Sequence, residues 1–103
     1  MIRSVMIPAG SGLGGGQWAE NPPSGPPTFV STYYLDESTS EVVVVWGNGD
    51  LTAQTEIWLS GSFVWRAEPG ETQYRTGTFF TTAGYSVRHT KGGTPSAFVG
   101  PTT

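Results

Sequence analysis

The chain has 103 residues, of which eight are acidic and five basic, giving a formal net charge of -3 at pH 7. It has no cysteine, which excludes disulfides, thiolate chemistry and every metal site that uses cysteine ligands. The few lysines and arginines argue against a nucleic-acid partner, because binding a phosphate backbone requires clustered positive charge.

The first 27 residues are rich in glycine and proline, with three consecutive glycines at 14–16 and proline pairs at 22–23 and 26–27. This composition prevents a helix interior or a central strand, so we predict an extended arm over residues 1–27. The segment contains apolar side chains, which a solvated tail would avoid exposing, and this favours an arm that docks on a partner. The alternative is a flexible leader without a partner. The arm residues that we predict to dock on a neighbouring subunit are Ile2, Val5, Met6, Ile7 and Trp18.

No secretory signal or membrane span is predicted. Arg3 resembles the basic start of a signal peptide, but the apolar residues 5–7 end at Pro8. A signal peptide needs an apolar region of about 7–15 residues. The longest apolar run, 42–46, is far shorter than the ~20 residues that cross a bilayer. We therefore expect synthesis in the cytoplasm and no membrane partner.

From residue 28 onward, short runs of β-branched and aromatic residues alternate with turn residues. This spacing is typical of a β-sandwich or barrel, and no segment has the 3.6-residue periodicity of an amphipathic helix. We therefore predict an all-β domain over residues 28–103. The predicted strands span 28–35, 41–46, 55–59, 62–67, 72–76, 84–90 and 96–99. Ser60-Gly61 is predicted to form a two-residue hairpin turn, and residues 68–71 a turn around Pro69 and Gly70.

Several motifs resemble those of the fibronectin type III family. Val44-Val45-Trp46 is similar to the Val-x-Trp of that family's B strand, in which the tryptophan fills the core. Residues 55–64 resemble its C–C′ hairpin, and residues 92–97 its F–G connection. Phe79 followed by Tyr85 is similar to the spacing of the tyrosine corner, although proline and glycine are missing from their expected places.

The resemblance covers about residues 26–103. It implies an immunoglobulin-like, fibronectin type III-like sandwich of seven strands, and it adds no catalytic residue. It also implies that the Tyr85 hydroxyl bonds to backbone upstream of it. The role that the resemblance implies is adhesion, spacing or assembly.

The hairpin at residues 60–61 predicts which side chains share a face, because directly opposed residues lie on the same side of a sheet. Trp58 is expected to face Phe63, and Glu56 to face Trp65. A one-residue shift of register would reverse the faces, and one or two of these rings could instead belong to the core. The core side is predicted to carry Thr55, Ile57, Leu59 and Val64. The outward side is predicted to carry an exposed aromatic patch of Trp58, Phe63 and Trp65, which is typical of a binding surface.

Successive side chains of a strand point to opposite faces. In the predicted strand 41–46 this places Val42, Val44 and Trp46 inward and Val43 and Val45 outward. A strand that is apolar on both sides usually has both faces covered. Ordinary β-propensity is the alternative explanation.

No catalytic, cofactor or metal site is predicted. His89 is the only histidine, and no acidic residue is expected near it in the predicted strand order. The glycines of 10–16 follow no strand and precede no helix, so a phosphate-binding loop is not supported. We therefore expect that the chain is not an enzyme.

A low-charge sandwich with an apolar arm is similar to the small virion proteins of tailed bacteriophages. We expect a structural protein of the virion, made in the host cytoplasm: a capsid decoration (cement) or tail-associated protein. Its partners would be capsid or tail subunits and copies of itself, bound through the arm and the aromatic patch.

The alternative is a carbohydrate- or cell-surface-binding module that uses Trp58, Phe63 and Trp65 to bind surface glycans. An interface with protein is favoured, because Glu56 and Arg66 are expected on opposite faces and would not converge on sugar hydroxyls.

Overall fold

The computed structural model describes residues 22–103, and this part of the chain is all-β. Its strands in chain order are β1 (Val30–Asp36), β2 (Glu41–Trp46), β3 (Gln54–Leu59), β4 (Ser62–Ala67), β5 (Gln73–Arg75), β6 (Tyr85–Lys91) and β7 (Thr94–Pro95). They form two antiparallel sheets, one with the order β1-β2-β5 and one with the order β4-β3-β6-β7. The described residues contain no helix of the length and hydropathy needed to span a bilayer.

One apolar core joins the two sheets, as expected for a β-sandwich. The three-stranded sheet contributes alternate residues of β2, as the sequence predicts. The four-stranded sheet contributes residues from β3, β4 and β6. The fully enclosed members of this cluster are Val42, Val44, Trp46, Ile57, Ala67, Tyr85 and Val87.

The outward side of β2 is covered at Val43, whereas Val45, the other residue predicted to face outward, is only partly buried. Val43 is buried, and its cross-strand partners are Tyr33 on β1 and Arg75 on β5. Opposed residues share a face, so these two long side chains flank Val43 and shield it. Arg75 is held there by an ion pair with Glu41, at 2.9 Å between Nη2 and Oε2.

The β3–β4 hairpin has the two-residue turn that the sequence predicts. Ser60 and Gly61 both have positive φ, 50° and 84°, which is the conformation of a type I′ turn. The turn after β4 is also confirmed, because the Glu71 N–H donates to the Glu68 carbonyl at 3.1 Å and Gly70 has a φ of 90°.

The last predicted strand, 96–99, is wrong. Gly92 and Gly93 both have positive φ, so the chain turns tightly there. The strand β7 follows directly after Gly93 and pairs with the end of β6. Ser96 then bonds to His89 of β6 twice. Its N–H donates to the His89 carbonyl at 2.8 Å, but its hydroxyl, and not a backbone carbonyl, accepts from the His89 N–H at 3.0 Å. Beyond it, Val99 makes only an isolated bridge to Val87. A side-chain hydrogen bond thus interrupts the ladder that the composition of 96–99 favours.

Residues 24–28 pack along the loop that follows β2. The Ser24 N–H donates to Asp50 Oδ2 at 3.0 Å, and the Thr28 N–H donates to the Gly47 carbonyl at 2.9 Å. Gly49 lies so close to this segment that a Cβ on it would clash with the Pro26 carbonyl oxygen. The end of the glycine- and proline-rich region therefore lies against the sandwich.

The tyrosine corner implied by the resemblance is not formed. Tyr85 is completely buried in the core, and its hydroxyl has no hydrogen-bond partner among residues 22–103. Phe79, the upstream residue of the motif, has its ring largely in solvent and a φ of 66°. With Thr81 and Thr82 in place of the family's proline and glycine, the loop takes a different course and offers the hydroxyl no acceptor.

We expect Tyr85→Phe to leave the free energy of unfolding unchanged or to raise it by up to about 1 kcal/mol, because the change removes a desolvated hydroxyl without a partner. Urea denaturation measures this, with the exposed Tyr34→Phe as the control. A loss of more than about 1 kcal/mol would show that the hydroxyl forms the hydrogen bond of a tyrosine corner.

Candidate functional site

A β-bulge changes the predicted faces of the β3–β4 hairpin. Trp58 pairs with Phe63 as predicted, but Ile57 pairs with Trp65 and Glu56 with Arg66. Val64 is thus an extra residue in β4 without a partner in β3, which is the defining feature of a bulge. Every residue of β4 beyond Val64 lies on the face opposite to the predicted one.

Trp65 therefore does not belong to the outward aromatic patch. It shares the core side with Ile57 and stacks on Tyr74 of the other sheet, with ring centroids 5.6 Å apart and an angle of 18° between the planes. Its ring is half exposed because it stands at the edge of the sandwich, where β4 is the last strand. Trp65 closes this edge of the core.

Two predicted residues, Trp58 and Phe63, do meet on the outer face of the four-stranded sheet, and Phe98 joins them. Trp58 contacts both phenylalanines edge to face, with centroids 5.9 Å from Phe63 and 5.6 Å from Phe98. Phe63 is 48% exposed and Phe98 44%, whereas Trp58 is partly buried between them. Phe98 was not predicted, because its position depends on the course of the chain after β7.

A buried carboxylate lies beside the three rings. Glu56 accepts hydrogen bonds from Trp58 Nε1 at 3.0 Å, Arg88 Nε at 2.8 Å and Arg66 Nη2 at 3.0 Å. Arg66 and Arg88 are its cross-strand partners on β4 and β6, so all three side chains lie on one face. The prediction that Glu56 and Arg66 lie on opposite faces is wrong, because the bulge at Val64 moves Arg66 across the sheet.

The two arginines also lie against the aromatic rings. The Arg88 guanidinium is 4.6 Å from the centroid of Phe98 and 5.3 Å from that of Trp58. The Arg66 guanidinium is 5.5 Å from the centroid of Phe63. Such cation–π contacts fix long side chains that would otherwise move freely. We call the surface formed by Trp58, Phe63, Phe98, Arg66 and Arg88 the aromatic–arginine face.

Glu56 stays ionised under this face. Burial raises the pKa of its carboxyl, but hydrogen bonds from Arg88, Trp58 and Arg66 outweigh burial and hold the pKa below its usual value. The carboxylate therefore neutralises part of the charge of the two arginines and fixes their orientation. The remaining net positive charge lies among exposed phenyl rings.

The other predicted interface residues belong to the arm. Ile2, Val5, Met6, Ile7 and Trp18 lie outside the described residues.

His89 is buried and holds three segments together. Its Nε2 accepts from the Gly49 N–H at 3.0 Å, so Nδ1 carries the proton of the neutral ring and donates to Thr55 Oγ1 at 2.9 Å. The expectation that no acid lies near it is wrong, since Asp50 is close enough to raise its pKa. Burial has the larger, opposite effect, and the pKa of His89 lies below 6.5.

Asp50 anchors the same loop. Its Oδ1 accepts from the backbone N–H and the hydroxyl of Thr52, and its Oδ2 accepts from the Ser24 N–H. These bonds, with Lys91 at 3.7 Å, hold the pKa of Asp50 far below its usual value. With His89 it fixes the loop after β2 against β3, β6 and residue 24.

We expect stability to fall as the pH drops below about 6.5, because the unfolded chain binds a proton at His89 more readily there than the folded chain does. The slope should not exceed about 1.4 kcal/mol per pH unit, the value for one proton. Asp50 and Glu56 also have lowered pKa values, but their contribution is lost only below the usual carboxyl range. Urea denaturation at about pH 7 and about pH 5.5 therefore measures the effect of His89 apart from that of the two carboxylates, which titrate at lower pH.

The control is His89→Gln, because His89 is the only histidine of the chain. The variant should have no slope between these two pH values. A wild-type free energy of unfolding that is equal at both would show that His89 is not shielded from protonation.

Within residues 22–103, no group of three or more histidine, cysteine or acidic side chains could hold a metal ion. The aromatic–arginine face offers aromatic rings and two oriented guanidinium groups, and both oxygens of Glu56 already accept hydrogen bonds. Comparison with known proteins adds no relative, since no family model, no curated protein and no solved structure matches the chain.

Proposed function

We propose that the chain is a non-enzymatic assembly protein that docks on neighbouring protein subunits, using the aromatic–arginine face as a binding surface. The observation that carries this is the grouping of half-exposed Phe63 and Phe98 with two arginines fixed by Glu56. Aromatic residues and arginine are enriched at the centres of protein interfaces, where they contribute most of the binding energy. Their fixed orientation reduces the entropy lost on binding.

The face suits a protein better than a sugar. A sugar ring stacks on an open aromatic face and bonds to free polar groups. Arg88 already lies over the Trp58 ring, and both oxygens of Glu56 already accept hydrogen bonds. Polar groups that converge on one face, as Glu56, Arg66 and Arg88 do, are also what a sugar site requires. Glycan binding is therefore the alternative that the experiment below must distinguish.

We also propose that the sandwich is fibronectin type III-like and that the protein belongs to a bacteriophage virion. Two antiparallel sheets around one core, with the 60–61 hairpin between β3 and β4 and with Trp46 filling the core, support a fibronectin type III-like sandwich. The Tyr85 hydroxyl departs from that pattern. The low charge of 13% and the apolar arm favour a surface covered by other subunits. A capsid decoration or tail-associated protein of a bacteriophage virion fits both properties.

The test is photo-crosslinking from the face itself. A benzophenone amino acid replaces Phe63 in one variant and Leu51, an exposed loop residue, in the control. Both are expressed in the native source. We expect adducts with one defined protein from position 63 and not from position 51. Adducts with glycans alone, or the same adducts from both positions, would contradict the proposal.

Substitution then measures how much the face contributes. We expect Phe63→Ser with Phe98→Ser to weaken binding of the crosslinked protein at least about tenfold, because two anchor side chains are lost. The matched control is Leu35→Ser with Leu51→Ser, which alters two exposed apolar residues outside the face. An equal loss in both pairs would contradict a specific role of the face.

A further inference from the structure

A groove of about 510 Å³ runs along one open edge of the sandwich, between residues 29–32 and the C-terminal residues 99–103. Val30 and Val99 are partly buried against the core on its two sides. The groove therefore reaches from solvent to the core.

One wall of the groove is the edge of β1, and the other is the C-terminal segment, which is bridged to β6 at Val99. β1 pairs only with β2 among the described strands, so its other edge faces the groove. Opposite it, Val99 exchanges backbone hydrogen bonds with Val87 of β6, and the Thr102 N–H donates to the Tyr85 carbonyl. At one end the walls meet, because Thr32 and Thr102 both donate their hydroxyls to the Thr82 carbonyl. A strand edge that has no partner among the described residues, like this edge of β1, can accept an added strand.

We propose that this groove accepts residues 2–7 of a second copy of the chain as an added β-strand. The inference rests on the proposed assembly function and names the docking site of the arm. Strand addition would satisfy the backbone groups on the edge of β1 that faces the groove, which pair with no other strand among residues 22–103, and it would cover Val30 and Val99.

The sequence of the segment fits the groove. In a strand, alternate side chains point to the same face, so Val5 and Ile7 would point together toward Val30 and Val99. β-branched residues are favoured in strands. Pro8 follows directly, and its missing N–H ends a ladder at that point.

A second copy suits the groove better than the chain's own arm. Docking in the same chain would require residues 8–28 to form one connection, and connections without secondary structure longer than ~12–15 residues are uncommon in compact domains. Residues 24–28 are already bound along the loop after β2. An extended chain spans up to ~3.3–3.6 Å per residue, so residues 8–21 can bridge to a neighbouring copy.

Crosslinking between two full-length variants tests the proposal, and the absence of cysteine makes the sites unique. A chain with Met6→Cys and one affinity tag is mixed with a chain carrying Ser31→Cys and another tag, and a short bismaleimide is added. We expect a dimer that carries both tags. The control acceptor, Leu51→Cys, is 69% exposed and should give at least about tenfold less product, as expected for a binding difference of 1.4 kcal/mol or more.

Adding Val5→Asp and Ile7→Asp to the Met6→Cys chain should reduce the dimer to the level of the Leu51→Cys control. Persistence of the dimer would overturn the proposal, as would equal yields from positions 31 and 51. A single chain that carries both cysteines and crosslinks only within itself would overturn it in favour of the chain's own arm.

The crosslink is independent of the aromatic–arginine face. Chains with Phe63→Ser and Phe98→Ser should still form the dimer through positions 6 and 31. Failure of this crosslink, while position 63 still captures a protein partner, would overturn the groove assignment alone. Failure at position 63, with the crosslink intact, would instead contradict the role of the face.

Discussion

Replacing Glu56 by glutamine is expected to lower the free energy of unfolding by about 2–3 kcal/mol. The change removes the charge that two arginines share but keeps the shape of the side chain. Breaking a fully buried ion pair costs about 3–5 kcal/mol. The loss here should be smaller, because Arg66 is half exposed and can be solvated by water. Urea denaturation at neutral pH measures the loss.

The control for Glu56→Gln is Glu41→Gln, which breaks the pair between Glu41 and the exposed Arg75. An exposed pair contributes about 0–1 kcal/mol, so the control should stay near wild type. Equal losses in the two variants would show that Glu56 is no more than a surface partner.

Acid provides a second readout of Glu56. Its pKa is lowered by folding, so its contribution to stability is present above the usual carboxyl pKa and is lost as the pH falls below it. Glu56→Gln should therefore have a weaker loss of stability below about pH 4.5 than the wild type has. An unchanged acid slope would contradict the ionised state of Glu56.

Local patterns in the sequence predicted much of the fold. The bounds of β2 and β4 agree with the prediction, because six-residue β-branched and aromatic runs end at clear turn residues. The inward side of β2 follows from strict alternation. The hairpin turn follows from Gly61, which has no Cβ to oppose positive φ.

The candidate site was only partly predictable, since it depends on contacts between distant segments. Val64 is an ordinary strand residue, and nothing local indicates that it is the extra residue of a bulge. That single residue moves Trp65 to the core edge and brings Arg66 to Glu56. Phe98 lies between two residues that are bonded to β6, Ser96 to His89 and Val99 to Val87, and these bonds bring its ring to Trp58. Pairing of β4, β3 and β6 then gathers the rest of the face.

Trp46→Ala should destabilise the protein most, by about 3–5 kcal/mol, the usual cost of truncating a buried tryptophan. The Trp46 side chain is 1% exposed and belongs to the core cluster that joins both sheets. Its removal leaves a cavity that neighbouring strands, fixed by their ladders, fill only in part. Thermal and urea denaturation measure the loss.

Trp65→Ala is the matched control, because it removes the same side chain from a half-exposed position. It should cost about 1–2 kcal/mol, from one aromatic stack and partial burial. If Trp46→Ala does not fold, Trp46→Phe keeps the comparison measurable. The phenyl ring leaves a smaller cavity than alanine does. The change also removes an indole N–H that has no partner among residues 22–103. A cost for Trp46→Ala no greater than that of Trp65→Ala would contradict the central position of Trp46 in the core.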